Sequence, residues 1–206
     1  MRDRKVRLAA WLCVAALLFA AFGFLATHPA AAHGIHMDAQ NYGDAAPAFT
    51  LTDQHGKPFN QSQLEGKASL FFFGYTSCPD VCPAGLADIT RYMEKLGKDA
   101  SKIQPVFVTV DPAKDTAKQM AEYLKAFDAR IIGLTGTDAQ ISTLLKDYHV
   151  YAAKPKHGEH DEAAADTINH TATMYLYDKN RRFIGTIDRQ EKDDVALAKI
   201  RRVIKD

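Results

Sequence analysis

Of the 206 residues, 26 are Lys or Arg and 25 are Asp or Glu, a formal net charge of +1. A charge so near balance supplies no field for holding nucleic acid or acidic lipid, which sets those partners aside. There are three cysteines, Cys13, Cys78 and Cys82.

In chain order, Arg2, Arg4, Lys5 and Arg7 precede an apolar run from Leu8 to Ala26, which leads into "HPAAAHG". A basic start, an apolar middle and small residues at Ala30 and Ala32 make residues 1–32 an export signal peptide. The run also reaches the lower limit for a membrane span, so an uncleaved N-terminal membrane anchor is the alternative. In both cases the body of the protein is translocated and the basic end stays on the cytoplasmic side. The expected location is the bacterial periplasm or the outer face of the inner membrane. Leu12 before Cys13 does not give the small-residue context of a lipoprotein cleavage site. Without residues 1–32, 174 residues remain with 22 Lys or Arg against 24 Asp or Glu, a net of −2 and enough chain for one domain.

Residues 33–47 are rich in Ala, Gly, His and Asp and read as a linker ahead of a domain over residues 48–206. "FTLTDQHGKPFNQSQLEGK" suggests a short strand, a His-Gly turn, a second strand and a polar turn. "ASLFFFGY", from Ala68 to Tyr75, is a continuous apolar run suited to a central strand. Beyond the cysteines, Leu86, Ile89, Met93 and Leu96 recur at helical spacing, and Gly97 is a C-cap. "IQPVFVTV" is a second buried strand. The next helix begins at Asp115 or Thr116 as N-cap and carries Met120, Tyr123, Leu124 and Phe127 on one face. "RIIGLTG" is strand-like, and Thr137 and Gln140 stand at capping-box spacing before another helix. Ala152 to Asp166 reads as an exposed loop. "TATMYLYD" and "RFIGTID" form a hairpin around Lys179-Asn180-Arg181, and a last amphipathic helix runs from about Asp193 to Ile204. The alternation implies an α/β fold with a central mixed sheet flanked by helices and an N-terminal strand hairpin as an extension.

The chemistry concentrates in "FFFGYTSCPDVCP". Pro83 suits the first turn of a helix and puts Cys82 at or near its start, with Cys78 in the loop or first turn before it. Residues four apart share a helix face, so the two sulfurs can point into one space where N-terminal amides favour thiolates. A structural disulfide is one reading, although it would close a very short loop and be a weak staple. A redox or metal site is the other, since paired thiolates are soft ligands for Cu(I) or Zn that accept an added imidazole.

Among the histidines, His55 stands in a turn beside Gly56 and His149 ends a helix. His157 and His160 lie in the acidic "KHGEHDE", solvated or weakly metal-collecting. His33 and His36 follow the cleavage point, where a new α-amino group and imidazoles offer an auxiliary Cu(II) site or simply a solvated linker. His170 is the ligand candidate, because it stands at the mouth of a strand after a polar loop and can lean over the neighbouring strand end.

"GYTSCPDVCP", "VTVDPAKDT" and "NHTATMYLYD", in that order, resemble the Sco/SenC family of copper-binding proteins over about residues 41–205. The resemblance implies a thioredoxin-like fold and a copper site, able to hold Cu(I) or Cu(II), with Cys78, Cys82 and His170 as ligands. Asn169 stands where the family has aspartate before the histidine, which removes a carboxylate partner for the imidazole. Asp80, Asp111 and Asp115 match acidic positions of the family, either behind the ligands or as contacts for a docking partner; capping and loop solvation are their plain structural reading. No proline follows Pro155, so the proline that thioredoxin enzymes set opposite their cysteines is absent, and peptide binding of that type is disfavoured.

The resemblance implies a copper chaperone that delivers copper to the dinuclear copper centre of cytochrome c oxidase subunit II by ligand exchange, without being an enzyme. The alternative is a thiol-disulfide oxidoreductase that reduces the cysteines of that oxidase site. A periplasmic copper carrier or a thiol reductant is the further partner to expect. A peroxidase ranks last, because Thr76 stands only two residues before Cys78. A monomer is expected, since the sequence has no heptads or long exposed apolar stripe.

Overall fold

Apolar runs without alternation must be covered on both faces, and two such runs, "ASLFFFG" and "IQPVFVT", lie side by side within a seven-stranded sheet. The computed structural model describes residues 45–153, 169–170 and 173–205. Residues 1–32, the expected export signal or anchor, and His33, His36, His157 and His160 lie outside the described residues. The strands are β1 (Thr50–Asp53), β2 (Pro58–Asn60), β3 (Ala68–Gly74), β4 (Ile103–Thr109), β5 (Ile132–Thr135), β6 (Ala152–Ala153), β7 (Asn169–His170), β8 (Met174–Tyr177) and β9 (Phe183–Ile187). The helices are α1 (Val81–Leu96), α2 (Ala117–Leu124), α3 (Asp138–Asp147) and α4 (Asp193–Val203).

The sheet order is β2-β1-β5-β4-β3-β8-β9. β3, β4 and β5 are parallel, with Phe72 beside Phe107 and Phe107 beside Gly133. The β1–β2 hairpin adds antiparallel strands beyond β5, and β8–β9 adds them beyond β3. The mixed sheet and the N-terminal hairpin extension therefore stand as the sequence implies. Ala152 begins the expected loop but is already paired, opposite His170, in the small β6–β7 sheet.

Alternation along β3 sends Phe71 and Phe73 to one face and Phe72 and Gly74 to the other. On the first face, Phe71 and Phe73 pack against Tyr148, which caps α3, with ring centroids 5.4 and 6.1 Å away. On the second, Phe72 meets Phe107 and Phe107 meets Tyr123 of α2, at 5.9 and 6.1 Å. α1 lies on that same face with Cys82, Gly85, Leu86, Ile89, Tyr92, Met93 and Leu96 buried. α4 is tied to α1 by Asp193, which accepts from Arg91 Nε at 2.7 Å and Lys95 Nζ at 2.6 Å.

Capping is local and legible. Thr116 with Gln119 and Thr137 with Gln140 form capping boxes for α2 and α3, and Gly97 ends α1 at φ +56°. The polar turn after β2 is instead a 3-10 helix, Gln61–Leu64, because Asn60 and Gln63 make a capping box of their own. In the β8–β9 connection Asp178 accepts from the N–H groups of Asn180 and Arg182 at 2.9 and 2.8 Å, which leaves Arg181 in the left-handed region.

A Cβ at Gly85 would lie 2.5 Å from Phe72 Cζ, so the helix can approach β3 this closely only with glycine there. Gly85→Ala is expected to destabilise the protein by about 1–2 kcal/mol in chemical denaturation, overpacking being partly offset by the better helix propensity of alanine. An unchanged midpoint would mean that the contact relaxes freely.

Candidate metal centre

β3 ends at Gly74, and the six residues that follow turn the chain into α1. Tyr75 is buried, and its carbonyl accepts from the Cys78 N–H at 3.3 Å, which folds the turn back beneath the first cysteine. Asp80 occupies the N-cap position without a capping bond to its side chain, although its carbonyl accepts from the Ala84 N–H at 3.2 Å. Pro83 sits in the first turn, where its missing N–H costs no helical bond.

Cys78 is 7% exposed and Cys82 is 0% exposed, and both are free thiols. The two side chains are hydrogen-bonded to each other, and the backbone of Tyr75 bonds to Cys82. A Cβ at Gly74 would lie 2.6 Å from Cys82 Sγ and 2.9 Å from Phe107 Cε2, so this sulfur rests against the bare backbone at the end of β3. Helix amides alone would make Cys82 a thiolate. Burial overrides them and pushes its thiol well above the usual range, with the Tyr75 bond opposing and the charges of Cys78 and Asp115 adding to the rise. That expectation from sequence is therefore corrected: proximity to a helix start does not ionise a sulfur packed into the sheet.

Asp115 is 0% exposed and is not the cap of α2, a role that falls to Thr116. Its carboxylate accepts from Thr76 Oγ1 at 2.5 Å, the Thr76 N–H at 3.0 Å and Thr109 Oγ1 at 2.6 Å. Its carbonyl accepts from Thr135 Oγ1 at 2.7 Å, and its N–H donates to Asp111 O at 2.9 Å. One side chain thus links the cysteine loop to the end of β4, while its own backbone is bonded to β5. Asp111 is 3% exposed and donates its N–H to Thr109 Oγ1 at 2.9 Å. Burial removes Asp111 and Asp115 as contacts for a docking partner; of the three acids, Asp80 is the exposed one.

The backbone of His170 belongs to β7, four residues ahead of Met174, and Met174 pairs with Phe72 near the end of β3. Since β8 runs antiparallel to β3, its start lies at the cysteine end of the sheet, and His170 precedes it there. The His170 side chain lies outside the described part of the structure. Among the described residues no group of three His, Cys, Asp or Glu is assembled to hold a metal. The cysteines are a two-sulfur half site, chemically suited to a soft ion and open to a third donor. His55 and His149 are exposed and stand in a turn and beyond α3.

The sequence reading leaves out Thr109 and Gly74, and it uses Thr76 only to set a peroxidase aside. The signal was slight: a threonine two residues before Cys78, another closing an apolar strand, and a glycine ending a run of phenylalanines.

The SCO1/SenC family model matches residues 37–205. The protein SCO2, mitochondrial, of Saccharomyces cerevisiae is 40% identical over 166 residues, 79% of this chain and 54% of that protein. An SCO2-like protein of Rickettsia conorii is 41% identical over 136 residues, 66% of this chain and 65% of that protein. This chain therefore spans roughly half to two thirds of the length of those relatives. Among solved structures, copper-bound ScoI of Bradyrhizobium japonicum is 39% identical, with a TM-score of 0.69, covering 78% of this chain and 99% of its own. Copper-bound yeast Sco1 is 31% identical, with a TM-score of 0.69, covering 79% and 89%. The thioredoxin-like fold follows from these likenesses together with the sheet order.

Asp115→Ala would leave the half-buried Thr76 N–H without its acceptor. The expected loss is about 2–3 kcal/mol in urea denaturation, with faster amide exchange at Thr76 than in the wild type. Exchange at Thr76 unchanged from wild type would show that the loop holds itself without the carboxylate.

Proposed function

The chain belongs to the SCO1/SenC family, and from that premise we propose that it is a copper chaperone of cytochrome c oxidase assembly. Copper is its cargo, held by Cys78, Cys82 and His170 and delivered to the dinuclear copper centre of oxidase subunit II. The observation that carries this reading is the pair of free, hydrogen-bonded thiols, with Cys82 against Gly74, at the end of the sheet to which the backbone of His170 also runs. Copper-bound relatives of 39% and 31% identity support the choice of metal.

Soft sulfurs suit Cu(I), and an imidazole extends the set toward Cu(II). Loading displaces the thiol protons to solvent, so the burial that holds Cys82 protonated also keeps the empty pair from reacting indiscriminately. Delivery is an exchange in which the partner's thiolates and imidazoles replace the three ligands stepwise. Asp80, exposed beside Cys78, is the acidic contact offered to that partner. The export segment, cleaved or kept as an anchor, would put the domain in the bacterial periplasm or on the outer face of the inner membrane.

The contact between the thiols also favours a second reading, reduction of the disulfide at the oxidase copper site. Cys78, the more exposed sulfur, would attack, and Cys82 would resolve the mixed disulfide, leaving this pair oxidised and the partner's two thiols reduced.

His170→Ala separates the two. The chaperone reading predicts Cu(I) affinity weakened by more than the roughly 10–100-fold that an outer hydrogen-bond partner is worth. Transfer to a metal-free subunit II domain should then be lost, while the Cys78–Cys82 pair still oxidises. Copper transfer at the wild-type level would contradict it, and retained reduction of the partner without copper transfer by the wild type would favour the reductase.

A further inference from the structure

Tyr123, on α2, has a hydroxyl oxygen that is closed to solvent and has no hydrogen-bond partner among the described residues. A buried hydroxyl without a partner is costly and uncommon, so its placement near the two sulfurs calls for an acceptor there. The ring is held firmly, with Phe107 and Phe127 at centroid distances of 6.1 and 5.4 Å. Phe107 also lies against the space at Gly74 that Cys82 Sγ borders, so Cys82, Phe107 and Tyr123 form a continuous wall on the α1–α2 face of the sheet. Burial raises the Tyr123 phenol above its ordinary value, and after burial the next causes are the charges of Cys82 and then Cys78. The hydroxyl therefore lies within electrostatic reach of both sulfurs.

We propose that Tyr123 is a positioning residue of the copper site, whose O–H donates a hydrogen bond to the Cys82 sulfur once copper has converted the pair to thiolates. This rests on the copper-chaperone reading. In the metal-free protein the protonated Cys82 thiol donates to Cys78, and a protonated sulfur is only a weak acceptor. Copper expels both thiol protons, removes that bond and leaves acceptor-only sulfurs. The phenol then gains the partner it lacked, and nothing is oxidised or reduced in the process. A hydrogen bond at a thiolate withdraws electron density from the metal–sulfur bond, which favours Cu(I) over Cu(II). Tyr123 would thus bias the site toward the reduced cargo and let it relax when the cargo leaves.

The test compares the wild type with Tyr123→Phe, each reduced and titrated with Cu(I) against a competing chelator, then oxidised for Cu(II) absorption. Metal-free stability is measured alongside. The expected result is one Cu(I) bound in both, an affinity about tenfold weaker in the variant, and sulfur-to-copper charge-transfer bands moved to lower energy. Its metal-free stability should be equal or higher, because an unpartnered polar group has been removed. Tyr148→Phe is the control: its hydroxyl bonds to Pro47 O at 3.3 Å, so metal-free stability should fall and copper properties should hold. Equal Cu(I) affinity and bands in Tyr123→Phe and wild type, with copper bound by both, would overturn the role of Tyr123 alone. A variant whose metal-free stability falls would likewise assign the hydroxyl to the fold. A wild type that binds no copper would overturn this proposal together with the chaperone reading.

Discussion

How close α1 comes to β3 decides where the reactive sulfur lies. Two glycines set that approach, Gly85 on the helix against Phe72 and Gly74 on the strand against Cys82 Sγ. With a side chain at either position, helix and strand would have to separate, because the atoms a Cβ would meet stand 2.5 and 2.6 Å away. The sulfur therefore sits in the packing of the sheet rather than at an open helix end. From that placement follow its burial, its raised thiol pKa and its nearness to Phe107 and, beyond it, Tyr123. A group placed this way is held in position before any ligand arrives, which reduces the ordering cost of binding.

The second cysteine belongs to a loop, and loops need fastening. Asp115 supplies it from a distance of 39 residues in sequence, taking the N–H and hydroxyl of Thr76 while Thr109 bonds to the same carboxylate. Both carboxylate oxygens are satisfied, so burial of this acid is compatible with a stable fold. Its negative charge also acts against ionising Cys82, so one residue both anchors the loop and helps keep Cys82 protonated. The third candidate donor, His170, comes from the opposite flank of β3, by way of the antiparallel pairing of β8. Loop, helix start and returning strand thus converge at one end of the sheet, the arrangement that ligand sites in open α/β sheets favour.

Much of this was legible in residue patterns. The unbroken apolar runs announced β3 and β4, and the threonine–glutamine spacings announced the caps of α2 and α3. Cys78 and Cys82 stood out by their spacing, with a structural disulfide left open beside a redox or metal site, and the order of three motifs pointed to the family and, through it, to His170. Asp115 was harder to read. Two good capping residues stand side by side in "DT", and only the distant Thr76 reveals which one turned inward. The protonation of Cys82 was misread for a similar reason: spacing reports the nearby amides, whereas desolvation depends on what the tertiary fold lays over the sulfur. Tyr123 looked like one more apolar-face residue at helical spacing, and nothing local distinguishes a satisfied hydroxyl from an unpartnered one.

The central claim is that two sulfurs from one strand-to-helix turn and an imidazole from the returning strand hold a single copper ion. Copper K-edge X-ray absorption of the Cu(I)-loaded protein tests it most directly. The account predicts a first shell of two sulfurs, from Cys78 and Cys82, and one imidazole nitrogen from His170. A shell of nitrogen and oxygen alone, or one with sulfur and no imidazole, would contradict it.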